Sequence, residues 1–223
     1  GSPSQGLILH EGGHVFTYGI LANNEWRSGW MDEGLTSYQS AWFARATPQD
    51  RTAVPSLPQR STGTGYARHR LVPAPTFNAL LGQTRLELMG RAEPLGTSGP
   101  DFSEYAIYSN MVYSRAELMY GALRDVMGDD AFREFLRTYY ARWALRHVDE
   151  AAMRAAAEDA HGAPLGWFFG QWVHRTGVVE YALRDVKVQR DGDEWLTTAT
   201  VARLGDYWHP MPLGVQVDTG WVI

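Results

Sequence analysis

The sequence contains no cysteine, which excludes disulfide bonds and thiolate chemistry. It also lacks basic blocks: Lys187 is the only lysine and the net charge is −5, so we expect no nucleic-acid partner. No apolar run approaches the roughly 18 residues that a membrane helix needs, so we predict no transmembrane segment. A recognisable signal peptide is missing as well. We expect a soluble protein, and the compartment stays open, with export (periplasmic or secreted) as one option.

The motif HEGGH at residues 10–14 contains two histidines four positions apart. On a helix, His10 and His14 lie one turn apart on the same face, and their neutral imidazoles can bind one Zn²⁺. Glu33 follows His14 after 18 intervening residues and is the expected third ligand. Two histidines and one glutamate leave a fourth position open for water, which is typical of catalytic zinc sites. We therefore predict one Zn²⁺ per chain, with Glu11 as the general base that acts on the bound water.

Three segments resemble the aminopeptidase N-like gluzincins, a family of zinc metallopeptidases. The first combines HEGGH, the gap of 18 residues and WMDEGLTSY at 30–38. The second begins with YSRA at 113–116 and continues through a helical stretch, and the third is FFGQW at 168–172. The resemblance covers residues 7–38 and 103–178. It implies that Tyr113 donates a hydrogen bond to the oxyanion of the reaction, with Tyr105 and Tyr108 as competing candidates.

The sequence departs from this family pattern at three places. Gly12 and Gly13 stand where the family has a bulky residue, and each costs a helix about 1 kcal/mol relative to alanine; they either permit close packing or are simply tolerated. Ser114-Arg115 replaces the family's Glu-Lys. The family's Gly-x-Met-Glu-Asn strand, which binds the substrate's amino terminus, does not precede the zinc motif. We therefore expect an excised piece of a longer enzyme, with the cleft completed by an upstream part of its own polypeptide or by another chain.

Hydrophobic periodicity predicts a mainly α fold (α+β). The resemblance implies that its helical part is a thermolysin-like gluzincin catalytic lobe, and the strands that follow look like the start of a β-sandwich. We assign residues 1–178 to the lobe and residues 179–223 to a partial β-sandwich domain. Asp191-Gly192 predicts a hairpin turn. Asp129 is predicted to cap the helix that begins at residue 130, and Asp149 is predicted to begin the next helix. The predicted helices are 7–21, 31–45, 77–91, 103–127, 130–146, 149–161 and 164–174; the predicted strands are 181–189, 194–203 and 214–222; 22–24 and 47–75 are predicted loops.

The predicted function is hydrolysis of peptide bonds, most simply as an aminopeptidase that releases amino-terminal residues. A gluzincin endopeptidase, a hydrolase of another acyl bond, and a non-catalytic scaffold that keeps the fold are the alternatives. Trp26 and Trp30 flank the approach to Glu33, and we predict both in the core. Each ligand histidine should also hydrogen-bond to a group that orients its ring. Asp32, Thr36 and Ser37 are candidates because they are near in sequence, and the sequence does not favour one over the others.

Overall fold

A computed structural model describes residues 3–46, 74–217 and 220–222. The chain divides into two compact units, Gly1–Thr176 and Gly177–Ile223. The described part of the first unit is mainly helical, and that of the second contains only strands and turns, so the predicted mainly α (α+β) class is confirmed. Most of the predicted loop at 47–75 lies outside the described residues. No helix in the described part of the chain is long and apolar enough to span a bilayer.

Helix α1 spans Pro3–Gly13, so the predicted helix at 7–21 is wrong in its second half. Proline is tolerated in a first turn because its missing N–H would have no partner there. After Gly13 the chain folds back, and the amide of Gly19 donates to the carbonyl oxygen of His14 at 2.9 Å. Tyr18 in this turn has a φ of 93°, a rare conformation for a residue with a side chain. His14 therefore lies on the turn that follows the helix.

A short parallel sheet follows the turn. Strand β1, Leu21–Asn23, pairs with β2, Arg146–Val148. The loop predicted at 22–24 is wrong, and the helix predicted to Arg146 ends at Trp143 instead. The two strands satisfy each other's backbone groups, a long-range pairing that periodicity within either segment cannot reveal.

The segment after β1 forms helix α2, Glu25–Ser28, whose first turn is capped by the Asn24 side chain. A 3-10 turn at Gly29–Met31 leads into helix α3, Glu33–Ala46. Trp30 and Tyr38 are fully buried here. Trp26 is 71% exposed, so its predicted core position is wrong, whereas that of Trp30 is confirmed.

The predicted helix at 103–127 consists of three consecutive helical pieces. Helix α5, Tyr105–Ser109, continues through a π-helical segment, Asn110–Arg115, into helix α6, Ala116–Met127. The π segment contains Tyr113. Such segments are rare and occur frequently at functional sites.

The remaining helices in the described part of the first unit agree with the predicted number and order. Gly128, with a φ of 81°, precedes helix α7, so the predicted cap Asp129 is the first residue of the helix instead. Asp149, predicted as the first residue of a helix, instead precedes helix α8, Glu150–His161, and caps it by accepting a hydrogen bond from the amide of Ala152 at 2.8 Å. The bounds are α4 Ala74–Leu88, α7 Asp129–Trp143, α8 Glu150–His161 and α9 Gly166–Trp172.

The second unit contains two antiparallel strand pairs within its described residues. Strand β3, Tyr181–Asp191, pairs with β4, Glu194–Arg203, through the predicted hairpin turn, where Gly192 has a φ of 63°. Strand β5, Val215–Val217, pairs with β6, Gly220–Val222. The assignment of this region to a β-sandwich stays a prediction.

Candidate metal centre

Helices α1 and α3 bring the predicted metal ligands together. His10 lies in the last turns of α1, His14 follows its end, and Glu33 begins α3. The two helices are very close at Gly13, where a Cβ atom would lie 2.8 Å from Cγ2 of Thr36. Gly13 therefore permits the close packing that was one explanation for the double glycine. A Cβ on Gly12 would meet nothing within 4 Å.

The three side chains converge on one point. Nε2 of His10 lies 2.9 Å from Oε2 of Glu33, and Nε2 of His14 lies 3.2 Å from the same oxygen. The two Nε2 atoms are 3.3 Å apart. The three side chains are mostly shielded from solvent, with exposed fractions of 18%, 19% and 11% for His10, His14 and Glu33. This is the one group of three or more potential metal ligands found among the described residues.

The backbone orients His14. Its Nδ1 lies 3.2 Å from the carbonyl oxygen of Thr17, which can only accept a hydrogen bond. Nδ1 therefore carries the hydrogen, and Nε2 of the neutral ring presents a lone pair to Glu33 and His10. The hydroxyl group of Thr17 in turn bonds to that of Thr36 on α3. The orienting group is a main-chain carbonyl, which no residue type in the sequence could indicate.

Tyr113 is the fourth predicted site residue that the structure places here. Its hydroxyl donates a 2.6 Å hydrogen bond to Oε1 of Glu33, and its ring stacks on that of His10 at 5.8 Å. Burial alone would raise the pKa of Glu33, but hydrogen bonds with His10 and Tyr113 and the nearby imidazoles together lower it. Burial and the bond to Glu33 raise the pKa of Tyr113 well above its ordinary value, so its hydroxyl keeps its proton.

Asp32, beside Glu33, serves the scaffold of the site. Its carboxylate accepts a 3.0 Å hydrogen bond from Nδ2 of Asn23 in β1. Burial raises the pKa of Asp32 to about 6, although the bond from Asn23 opposes the shift. Among the described hydrogen bonds, none joins Asp32, Thr36 or Ser37 directly to an imidazole.

The remaining predicted site residues lie at the edge of the centre. Glu11 is exposed on α1 and makes no hydrogen bond or ion pair within the described part of the chain. Tyr105 is 81% exposed. Tyr108 is partly buried, and a Cβ on Gly29 would lie 3.3 Å from its hydroxyl. Tyr105 and Tyr108 line a cavity of about 720 Å³, whereas Tyr113 contacts Glu33 directly.

Sequence comparison assigns the chain to a known family. Residues 3–172 match the peptidase family M1 domain. The chain belongs to peptidase family M1. Membership confirms the predicted family, the aminopeptidase N-like zinc metallopeptidases. One similar protein is Leucine aminopeptidase 2 of Lodderomyces elongisporus, 21% identical over 160 residues, which cover 64% of this chain and 23% of that protein.

Solved structures of the M1 family share the fold. The M1 zinc metallopeptidase from Deinococcus radiodurans has a TM-score of 0.55 and 21% identity, covering 77% of this chain and 33% of that chain. Native yeast LTA4 hydrolase has a TM-score of 0.52 and 18% identity, covering 78% of this chain and 26% of that chain. This likeness confirms the predicted gluzincin helical lobe. The M1 chain described here thus spans about a third or less of the length of these relatives.

Proposed function

We propose that this chain carries the active site of a zinc aminopeptidase. The observation that supports this most directly is the convergence of His10, His14 and Glu33 at one point, in a chain of the M1 family. The relatives named above include a leucine aminopeptidase and a zinc metallopeptidase, and a mutant of the latter was solved with a Tyr-Ser-Ala substrate. Removal of amino-terminal residues from peptides is therefore the reaction we assign.

The three converging atoms fit a zinc ion. Tetrahedral ligands at about 2.0–2.1 Å from Zn²⁺ stand roughly 3.3 Å from one another, and the observed separations are 2.9, 3.2 and 3.3 Å. The donor set of two imidazoles and one carboxylate suits zinc. The carbonyl of Thr17 fixes the tautomer of His14 that exposes a lone pair on Nε2. We propose one Zn²⁺ per chain at this point.

The roles of the side chains follow from their positions. Zinc, when bound, would activate a water molecule and polarise the scissile carbonyl. Glu11 lies between the two histidines in the sequence. We assign its carboxylate the role of general base, which takes a proton from the attacking water and then returns it to the leaving amine. The Tyr113 hydroxyl, which keeps its proton, is assigned to donate a hydrogen bond to the negative charge that develops on the carbonyl oxygen.

Peptide cleavage by this chain and by its Glu11→Gln variant tests the proposal. One peptide set is offered with a free amino terminus and again with an acetylated one, and products are identified by mass spectrometry. We expect stepwise loss of single residues from the free set only, and no cleavage by the variant although it still binds one zinc. Hydrolysis by Glu11→Gln at the parent rate would refute the general-base assignment. Glu134→Gln on α7 is the matched control, because Glu134 pairs only with surface residues of its own helix.

The same assay separates the alternatives. Internal cuts in both peptide sets would make the protein an endopeptidase. Zinc binding without any cleavage would mean that the chain needs its upstream strands for activity or that it is a scaffold. We propose residues 1–178 as the catalytic lobe and 179–223 as part of a β-sandwich domain. That an upstream part of the polypeptide or another chain completes the cleft stays a prediction.

A further inference from the structure

A cavity of about 720 Å³ lies between two segments of the chain that lead to the candidate metal centre. One wall comes from the segment that connects His14 with Glu33, including Tyr18, Asn23, Glu25 and Trp26. The other wall comes from residues 99–108, just before the π segment that carries Tyr113. The two segments that frame the cavity therefore also position the groups assigned to the chemistry.

The charges in this cavity have one sign. Glu25 and Glu104 are the charged residues that line it. Glu104 is already paired, because Nη2 of Arg91 lies 2.5 Å from its carboxylate. Glu25 forms no ion pair with any residue that the structure describes. Its carboxylate is thus available to a positive charge that enters the cavity.

Aromatic rings supply much of the remaining surface. Trp26 and Tyr105 line the cavity yet are 71% and 81% exposed. The ring of Tyr105 stacks on that of Tyr108 at 6.0 Å, and Phe102 meets Tyr108 edge-on at 5.6 Å. Exposed rings at a cavity are suited to the apolar stem of a long side chain and to the face of a cation.

We propose that this cavity is the binding site for a positively charged substrate side chain, arginine or lysine, next to the scissile bond. The inference rests on the proposed peptidase function and adds a substrate class to it. Glu25 pairs with the cationic head, while Trp26 and Tyr105 contact the stem. A neutral aromatic side chain would use the rings but leave Glu25 without a partner, and an acidic side chain would be repelled by the Glu25 carboxylate.

Peptides that differ only in charge provide the sharpest test. Citrulline has nearly the shape of arginine but no charge, so the pairs are Arg-Ala-Ala with Cit-Ala-Ala and Ala-Arg-Ala with Ala-Cit-Ala. In at least one pair we expect kcat/KM to be about five- to tenfold higher for the arginine peptide, because Glu25 is exposed and a solvated ion pair is weak. Equal values within both pairs would overturn the proposal.

Two variants separate the contributions of charge and rings. Glu25→Gln should remove the preference for arginine, so that kcat/KM for the arginine peptide falls to that for the citrulline peptide. Trp26→Ala should lower kcat/KM for both members of the preferred pair. Glu134→Gln controls for a general change of negative charge. Retention of the arginine preference in Glu25→Gln would show that Glu25 is not the partner.

A binding measurement keeps the test independent of activity. Isothermal titration calorimetry of Glu11→Gln protein with arginine amide and citrulline amide should give tighter binding of arginine amide, and Glu25→Gln in that background should abolish the difference. If no peptide is cleaved but this difference is observed, the binding site stands and the proposed function fails. If peptides are cleaved but neither assay distinguishes arginine from citrulline, the binding site fails and the proposed function stands.

Discussion

The hydroxyl group of Tyr113 donates a 2.6 Å hydrogen bond to Oε1 of Glu33, a residue 80 positions earlier in the sequence. The other oxygen of the same carboxylate faces both imidazoles, at 2.9 and 3.2 Å. One glutamate therefore joins the predicted ligand cluster to the predicted oxyanion donor. Two roles are open to Tyr113 in this arrangement: it orients Glu33 as a ligand, and it donates to the substrate when one is bound.

Replacement of Tyr113 by phenylalanine separates these roles. If the hydroxyl group stabilises the developing oxyanion, kcat should fall by about 10²–10³ while zinc binding is largely retained. If it only orients Glu33, zinc affinity should fall by about 10–100-fold and the zinc-loaded variant should keep its kcat. Rates at saturating zinc and a zinc titration monitored by metal analysis distinguish the two. Tyr140→Phe, at a partly exposed position of α7, should change neither quantity.

The glycine pair in HEGGH gives a stability prediction with an internal control. A methyl group on Gly13 would lie 2.8 Å from Cγ2 of Thr36, and Thr36 cannot rotate freely because its hydroxyl is bonded to Thr17. We expect Gly13→Ala to lower the free energy of unfolding by about 1–3 kcal/mol and to weaken zinc binding, because α1 and α3 must separate.

Gly12→Ala should have the opposite sign. A Cβ there meets nothing within 4 Å, so the helix gains up to about 1 kcal/mol from the better helix former. Thermal unfolding of the two variants with and without zinc measures both effects. Equal stability of Gly12→Ala and Gly13→Ala would mean that the contact between Gly13 and Thr36 does not set the distance between the helices.

Removal of the metal should lower thermal stability. Zinc binds the folded site, so at a free concentration of about 1,000 times the dissociation constant it adds about 4 kcal/mol. For a chain of this size each kcal/mol shifts Tm by about 2–4 °C, giving an expected fall of roughly 8–16 °C on chelation. Differential scanning calorimetry checks this. The Tm of His14→Ala should respond far less to zinc or chelator, and a full response would exclude His14 as a ligand.

The ligand cluster could be predicted because its information is local. The four-residue spacing of His10 and His14 carries both imidazoles to one side whether the second lies in the helix or, as observed, on the turn after it. Glu33 could be predicted as the third ligand from the motif at 30–38, which begins with the buried Trp30. These features depend on short stretches of sequence, and the structure brings the three side chains together.

Other features depend on contacts between distant segments and could not be predicted. The partner of His14 is the carbonyl oxygen of Thr17, and every residue has a carbonyl. The end of α1 at Gly13 reflects the turn and the pairing of β1 with β2, which lie more than a hundred residues apart. Trp26 is predicted in the core, but it lines the cavity and is 71% exposed, and an exposed ring there can contact a ligand.

The anchor of the π segment gives the last prediction. Arg115, two residues after Tyr113, is 1% exposed, and its Nη1 lies 2.8 Å from Oε1 of Glu87 in α4. Its Nη2 also donates to the carbonyl oxygen of Arg175 at 3.4 Å. Arg115→Met would leave the Glu87 carboxylate without its cation in a site that is only 15% exposed. We expect this variant to lose about 3 kcal/mol of unfolding free energy in urea denaturation.

The double variant Arg115→Met/Glu87→Met tests the cause of that loss. Much of the penalty comes from an uncompensated buried charge, so removing both partners should restore most of the stability. The catalytic rate should respond differently, because two methionines cannot form the ion pair that connects the turn after Tyr113 to α4. We therefore expect the double variant to be folded and stable but to show a reduced kcat, with the carbonyl of Arg175 left without this donor. Full recovery of kcat together with stability would mean that Arg115 supports the fold and does not position Tyr113.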